Sequence, residues 1–202
     1  MKKLTTADVD VARRLGLPRS LCTDGLPQEA GGWRFSLAGT LTTALEWLAD
    51  ADVDVDDVAR RGDVVLGRDP NGDRVCMGPA GDSVVLDEGN GFEPVPLNGT
   101  PDQLRASLEA WAAWHSVEGD VVDRVRAGRG EVVEAEFRAT CERLREIDAS
   151  HWRFKGAWPR YMAMTVERLS LAALHEWAAR LARSLPEPPP APLVIPEGDD
   201  FL

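Results

Sequence analysis

Short apolar runs alternate with turn residues between positions 63 and 97, and this is the clearest pattern in the chain. The apolar runs cover residues 64–66, 74–77, 83–86 and 92–97. Each separator supplies glycine, asparagine or proline, the residues that tight hairpins require. Strands joined this closely must be antiparallel, because parallel pairing needs a crossover of about a dozen residues. The pattern therefore predicts a β-meander, and the prolines at 94 and 96 indicate that its last run is an edge strand or is only partly paired.

The residues before the meander predict a strand between two helices. A first short helix is expected to end at Gly16, because glycine followed by a nearby proline is typical of a helix end. Apolar and polar residues alternate over residues 33–37, as they do in a half-buried strand. Residues 40–49 place their leucines on one helical face and predict the second helix.

The residues after the meander predict helices that cover the sheet. A capping box that begins at Thr100 starts a helix whose apolar stripe extends to His115. Further helices are predicted over residues 131–147 and 169–185, and residues 120–130 are interpreted as a linker or a frayed turn. The expected fold class is α+β, with an antiparallel meander covered by helices.

The charge balance narrows the classes of partner. The 202 residues include 34 Asp and Glu against 23 Lys and Arg, so the formal net charge is −11. This charge argues against binding to nucleic acid or to an anionic membrane, since both need clustered Lys and Arg. A basic protein partner fits a field of this sign, and solubility alone is the competing explanation. No secretory signal and no membrane-spanning run is recognisable, so we expect a cytoplasmic protein.

The sequence holds few signs of catalytic chemistry. Cys22, Cys76 and Cys141 are odd in number and widely spaced, which fits neither a disulfide framework nor a zinc site. No phosphate-binding loop and no common hydrolase motif is present. We therefore expect no catalytic residue, no metal and no cofactor. An enzyme with a dispersed site near His151 and the neighbouring acids remains an alternative.

Acidic residues concentrate in one run and at the hairpin tips. The run over residues 51–57 has aspartates at alternate positions, but it lacks the glycine of a calcium-binding EF-hand loop and is interpreted as a solvated acidic segment. Three tryptophans near loops add apolar anchors typical of protein interfaces, with core packing as the stronger interpretation for each. The predicted partner-binding residues are Asp52, Asp54, Asp56, Asp57, Asp69, Asp73, Asp87, Glu88, Trp33, Trp152 and Trp158.

The order of several short motifs resembles the SUKH superfamily, and within it the SUKH-4 immunity-protein type. The motifs are GLP at residues 16–18, GDVVLG at 62–67, VCMG at 75–78 and LNGT at 97–100. The third departs from the family pattern, which has an aspartate after the apolar run. The resemblance implies an α+β fold, no catalytic residues and no cofactor. It also implies an antitoxin that binds and neutralises a polymorphic or contact-dependent toxin. The acidic charge of the chain makes a basic nuclease one class of target that would fit.

The chain is expected to have three parts. Residues 1–154 form the SUKH-like α+β domain, residues 155–185 a helical extension, and residues 186–202 an acidic tail that holds six of the 14 prolines. Such a tail is extended unless a partner binds it. A regulatory or scaffold module that binds a cellular protein through its sheet or tail is therefore the second functional alternative.

Overall fold

The structure is a computed structural model, and it describes residues 10, 12–35, 41–48, 62–115, 121–153, 156–169 and 183. The strands are β1 (Glu29–Ala30), β2 (Trp33–Phe35), β3 (Thr42–Thr43), β4 (Val64–Arg68), β5 (Arg74–Met77), β6 (Ser83–Asp87) and β7 (Glu93–Asn98). The helices are α1 (Arg19–Asp24), α2 (Ala44–Leu48), α3 (Pro101–His115), α4 (Val121–Arg124), α5 (Gly130–Ile147), α6 (Ala149–Arg153) and α7 (Ala157–Leu169). None of these helices is long and apolar enough to cross a bilayer.

The strands form one antiparallel sheet in the order β1-β2-β4-β5-β6-β7, and β3 pairs with β4 beside β2. The predicted meander is confirmed as β4 to β7, and the α+β fold class is confirmed with it. Among the described strands β7 pairs with β6 alone, in agreement with the edge position that Pro94 and Pro96 predict.

Both faces of the sheet are apolar, and they pack against different helices. Alternation along β5 directs Val75 and Met77 to one face and Cys76 to the other. The first face, here called the inner face, packs against α3, α5 and α7 in the main core. The second, the outer face, packs a smaller cluster against Ala44 and Leu48 of α2.

The helices predicted from Thr100 and over residues 131–147 are confirmed as α3 and α5, and two other predictions are corrected. The capping box holds, since Thr100 Oγ1 accepts a hydrogen bond from the Gln103 amide at 3.2 Å. The helix predicted over residues 40–49 is shorter, because its start pairs with β4 as β3. The interpretation of residues 120–130 as a linker or a frayed turn is corrected in part. Residues 121–124 form α4, and the turn that follows (Val125–Arg129) is helical but kinked at Gly128, whose φ is 80°. Arg124 stabilises this segment through an ion pair of 2.6 Å with Glu136.

The segment that follows α5, to which the pattern assigns no structure, forms α6 and the start of α7. Its residues Ala157, Trp158, Tyr161 and Met162 are buried in the main core. The first part of the predicted extension over residues 155–185 therefore packs against the sheet domain. The helix predicted over residues 169–185, apart from Leu169 and residue 183, and the tail over residues 186–202 lie outside the described residues.

Candidate functional site

The acidic tips of the β4–β5 and β6–β7 hairpins lie next to each other. The amide of Glu88 donates a hydrogen bond of 3.1 Å to Asp73 Oδ1, which joins the two tips directly. We call residues 69–73 and 87–91 the hairpin ends. Their turns are tight, with Gly72 and Gly91 at φ of 97° and 62°, where glycine is favoured.

Asp69 is a structural residue within the hairpin ends. The residue is only 4% exposed, and its carboxylate accepts hydrogen bonds of 2.8 Å from the amides of Asn71 and Asp73. The hydroxyl of Tyr161 on α7 donates a further hydrogen bond to it. Burial raises the pKa of Asp69, and the hydrogen bond from Tyr161 opposes that rise. The prediction that Asp69 contacts a partner is therefore corrected, because its carboxylate is enclosed by its own turn and by α7.

Asp87 is enclosed in the same way. It is 5% exposed, its Oδ2 lies 2.5 Å from Nη1 of Arg160, and its Oδ1 accepts a hydrogen bond of 3.0 Å from the Gly89 amide. Its predicted role in partner contact is corrected for the same reason. Asp69 and Asp87 instead fasten α7 to both hairpin ends through Tyr161 and Arg160.

Asp73 and Glu88 remain the predicted acids that face solvent. Asp73 is half-buried and Glu88 is exposed. Glu93, which the sequence analysis missed, is exposed on β7 and pairs with Asp87 across the strands. The turn residues before Glu93 were the available signal, because they place the start of the next strand at the same end of the sheet. The hairpin ends therefore carry a surface of fixed negative charge.

The tryptophans divide between core and surface. Trp33 is fully buried and Trp158 is 3% exposed, with their rings 5.1 Å apart in the main core. The core interpretation is confirmed for both, so neither side chain is available as a surface anchor. Trp152 is partly buried against the same core. A partner contact by Trp152 stays a prediction.

The acidic run that contains Asp52, Asp54, Asp56 and Asp57 lies outside the described residues. Within the part of the chain that the structure does describe, no three His, Cys, Asp or Glu side chains are grouped so that they could hold a metal ion.

The residues around His151 form a helix cap. Asp148 accepts hydrogen bonds from Ser150 Oγ at 2.6 Å and from the Gly99 amide at 2.8 Å, and its Oδ2 lies 2.9 Å from His151 Nδ1. Burial alone would raise the pKa of Asp148, but these hydrogen bonds outweigh it and lower the pKa to about 2.

This cap differs from a catalytic triad. Ser150 Oγ lies 3.1 Å from His151 Nδ1, so serine and aspartate meet the same ring nitrogen. An acyl-transfer triad needs them on opposite nitrogens. The cap instead ties Gly99, in the turn before α3, to the start of α6, and the alternative of an enzyme near His151 gains no support from this geometry.

The other candidate nucleophiles and bases have structural surroundings. Cys76 and Cys141 are buried, as predicted, and burial raises the pKa of Cys141 to about 12, so its thiol stays protonated. His115 lies at the rim of the core, exposed but with its ring 4.5 Å from the ring of Trp111. The side chain of Cys22 and all of His175 lie outside the described part of the chain.

Comparisons with known proteins add no relative: no protein-family model, no curated protein and no solved structure matches the chain. The likeness to the SUKH superfamily therefore rests on the short motifs and the order of the elements. The α+β fold is established by the structure, and membership of the family stays a prediction.

Proposed function

We propose that this chain is a non-catalytic immunity protein that binds a toxin of the polymorphic or contact-dependent kind and neutralises it in the cytoplasm. The observation that carries the proposal is the junction of the two hairpin ends, which brings Asp73 and Glu88 together at one end of the sheet. The sequence resemblance supplies the class of partner. The hairpin ends supply a surface suited to a basic one.

The charge of the chain supports a basic partner. A net charge of −11 attracts a cationic protein at long range, and such steering raises association rates on the order of 10- to 1,000-fold at low salt. A toxin that acts on nucleic acid needs a cationic surface for its substrate. A basic nuclease is therefore the target class that we favour, since an acidic surface competes for that cationic surface.

The hairpin ends are also held in place before any partner arrives. Tyr161 and Arg160 fasten α7 to Asp69 and Asp87, one in each hairpin end. A surface that is already ordered loses less conformational entropy on binding. The buried acids thus contribute to binding indirectly, because they position Asp73 and Glu88.

Co-expression with the toxin encoded by the neighbouring gene tests this function. Cells that carry both proteins are expected to grow, and the variant Asp73→Lys/Glu88→Lys is expected to protect them less. The matched control Glu109→Lys/Glu142→Lys makes the same charge change at exposed positions on α3 and α5 and is expected to protect normally. A toxin that kills equally well with and without this protein contradicts the proposal.

The tail separates this function from the scaffold alternative. Removal of residues 186–202 is expected to leave protection unchanged, because the proposed contact lies at the hairpin ends. Loss of protection on this truncation, with the hairpin-end variant still protective, favours a module that binds through its tail.

A further inference from the structure

Three arginines lie side by side across the outer face of the sheet. Arg34 of β2 pairs with Arg68 of β4, and Arg68 pairs with Arg74 of β5. Directly opposed residues on neighbouring antiparallel strands share one face, and the strands are about 4.8 Å apart. The three positions therefore span about 10 Å along one line. We call Arg34, Arg68 and Arg74 the arginine row.

The pairing between β2 and β4 depends on Gly67. A Cβ atom at this position would lie 2.2 Å from the carbonyl oxygen of Arg34, so a side chain here would push the strands apart. The β4–β5 register also shifts between Val65 and Gly67, as it does at a β-bulge. These two features bring Arg34 into line with Arg68 and Arg74.

The arginine row concentrates positive charge in an acidic protein. Like charges that are directly opposed destabilise a sheet. Within the described part of the chain, Glu29 forms an ion pair with the row, at 4.0 Å from Arg34 and between two exposed side chains. Such an exposed pair contributes little. Burial and the neighbouring charge of Arg68 lower the pKa of Arg74, and Asp73 and Glu88 oppose that shift without an ion pair to Arg74 in the described residues. Among the described residues, the ion pairs of the row therefore do not balance its positive charge.

One hydrogen-bond donor of Arg74 has no acceptor among the described residues. Its guanidinium carbon lies 4.5 Å from the ring centroid of Trp47, a cation–π contact that holds the group in place. Its Nη1 is buried and has no hydrogen-bond partner among the described residues. A buried charged donor without an acceptor is costly, and a rotation of the Arg74 side chain toward the groove would bring this donor within reach of an anion oxygen.

The arginine row lines a groove that has room for a small molecule. Its volume is about 590 Å³, and its lining includes the row, Trp47 and Gly67. Ligand sites of small molecules commonly have volumes of about 300 to 1,000 Å³. Apolar surface from Val65 lies in the same groove.

We infer that this groove binds a small ligand through a diphosphate group. Guanidinium groups bind phosphate oxygens with two parallel hydrogen bonds, which a single lysine ammonium does not match. Two linked phosphates offer enough oxygens for three neighbouring guanidiniums, whereas one carboxylate is satisfied by one or two. The site lies on the outer face and goes beyond the proposed contact with a toxin at the hairpin ends.

Calorimetric titration with inorganic diphosphate tests the site. The full chain is expected to bind one diphosphate, and Arg68→Gln is expected to weaken binding at least tenfold. Arg68 is exposed, so this variant should fold, and an unchanged circular dichroism spectrum confirms that it does. The control Arg143→Gln removes an exposed arginine on α5 and is expected to change affinity less than twofold. No heat of binding at millimolar diphosphate, or equal effects of the two variants, overturns the inference.

A second titration, with adenosine diphosphate, distinguishes a nucleotide ligand from free diphosphate. If adenosine diphosphate binds more tightly than inorganic diphosphate, and Arg68→Gln weakens both, the ligand is a nucleotide whose remainder fills the groove. If it binds equally or more weakly, free diphosphate is the ligand. Both results support the site, and a nucleotide affinity that Arg68→Gln leaves unchanged contradicts it.

Discussion

The hydrogen bond between Tyr161 and Asp69 makes a quantitative prediction about stability. Tyr161→Phe removes the hydroxyl and keeps the ring, so it leaves almost no cavity. The buried Asp69 carboxylate keeps its two amide donors at 2.8 Å but loses the Tyr161 hydroxyl, its third donor. Hydrogen bonds to charged groups contribute about 1.5 to 3 kcal/mol. We expect the free energy of unfolding to fall by about 2 kcal/mol at pH 7, measured by urea denaturation.

The pH dependence of this loss identifies its cause. Burial raises the folded-state pKa of Asp69, so the contribution of Asp69 to stability falls as pH rises above the ordinary aspartate pKa of 3.8. Without the Tyr161 hydroxyl the pKa of Asp69 rises further, so the pH range over which this stability is lost extends upward. Tyr161→Phe should therefore cost more at pH 7 than at pH 4, where Asp69 takes up a proton. In a double-mutant cycle with Asp69→Asn, the two effects should not add.

Two results would refute this reasoning. One is a variant whose free energy of unfolding at pH 7 equals that of the native chain. The other is a loss that is the same at pH 4 and pH 7, because a carboxylate-dependent hydrogen bond cannot behave in that way.

Three further variants test the packing of the sheet and the helix cap. Gly67→Ala should destabilise the chain by about 2 kcal/mol or more in thermal denaturation, since its Cβ would lie 2.2 Å from a carbonyl oxygen. The control is Gly72→Ala, whose Cβ would have no atom within 4 Å. This control should cost about 1 kcal/mol because of the positive φ at Gly72. Phe137→Ala should cost about 3 to 5 kcal/mol because the ring is fully buried, and a loss below about 1 kcal/mol would contradict that packing. The pKa of Asp148 is lowered to about 2, so the free energy of unfolding of the native chain should fall by about 2 kcal/mol between pH 4 and pH 2. Asp148→Asn should lack this loss. If both proteins lose the same stability over this pH range, the cap does not stabilise the charged carboxylate.

The sequence predicts those elements whose signals are local. The meander follows from turn residues between short apolar runs, and α3 and α5 follow from a capping box and helical spacing. The same reasoning misses β1 and β3, which have two residues each and show no periodicity. It also misses the helical turns between residues 121 and 130, which depend on the ion pair between Arg124 and Glu136.

The candidate sites depend on contacts that are distant in sequence. Acids at hairpin tips are usually solvated, so Asp69 and Asp87 were predicted to be surface residues. Their burial follows from α7, whose Tyr161 is 92 residues beyond Asp69. The arginine row depends on the register between three strands, and the irregularity near Gly67 alters that register. Neither feature has a local sequence signal.

The affinity between this protein and the toxin encoded by the neighbouring gene tests the central claim most directly. Surface plasmon resonance at two salt concentrations should show binding of the native chain, with association slowed by salt. Asp73→Lys/Glu88→Lys should weaken binding at least tenfold, and Glu109→Lys/Glu142→Lys should change it less than threefold. No binding of the native chain to that toxin, or equal losses for the two double variants, would contradict the claim that this is an immunity protein that acts through its hairpin ends.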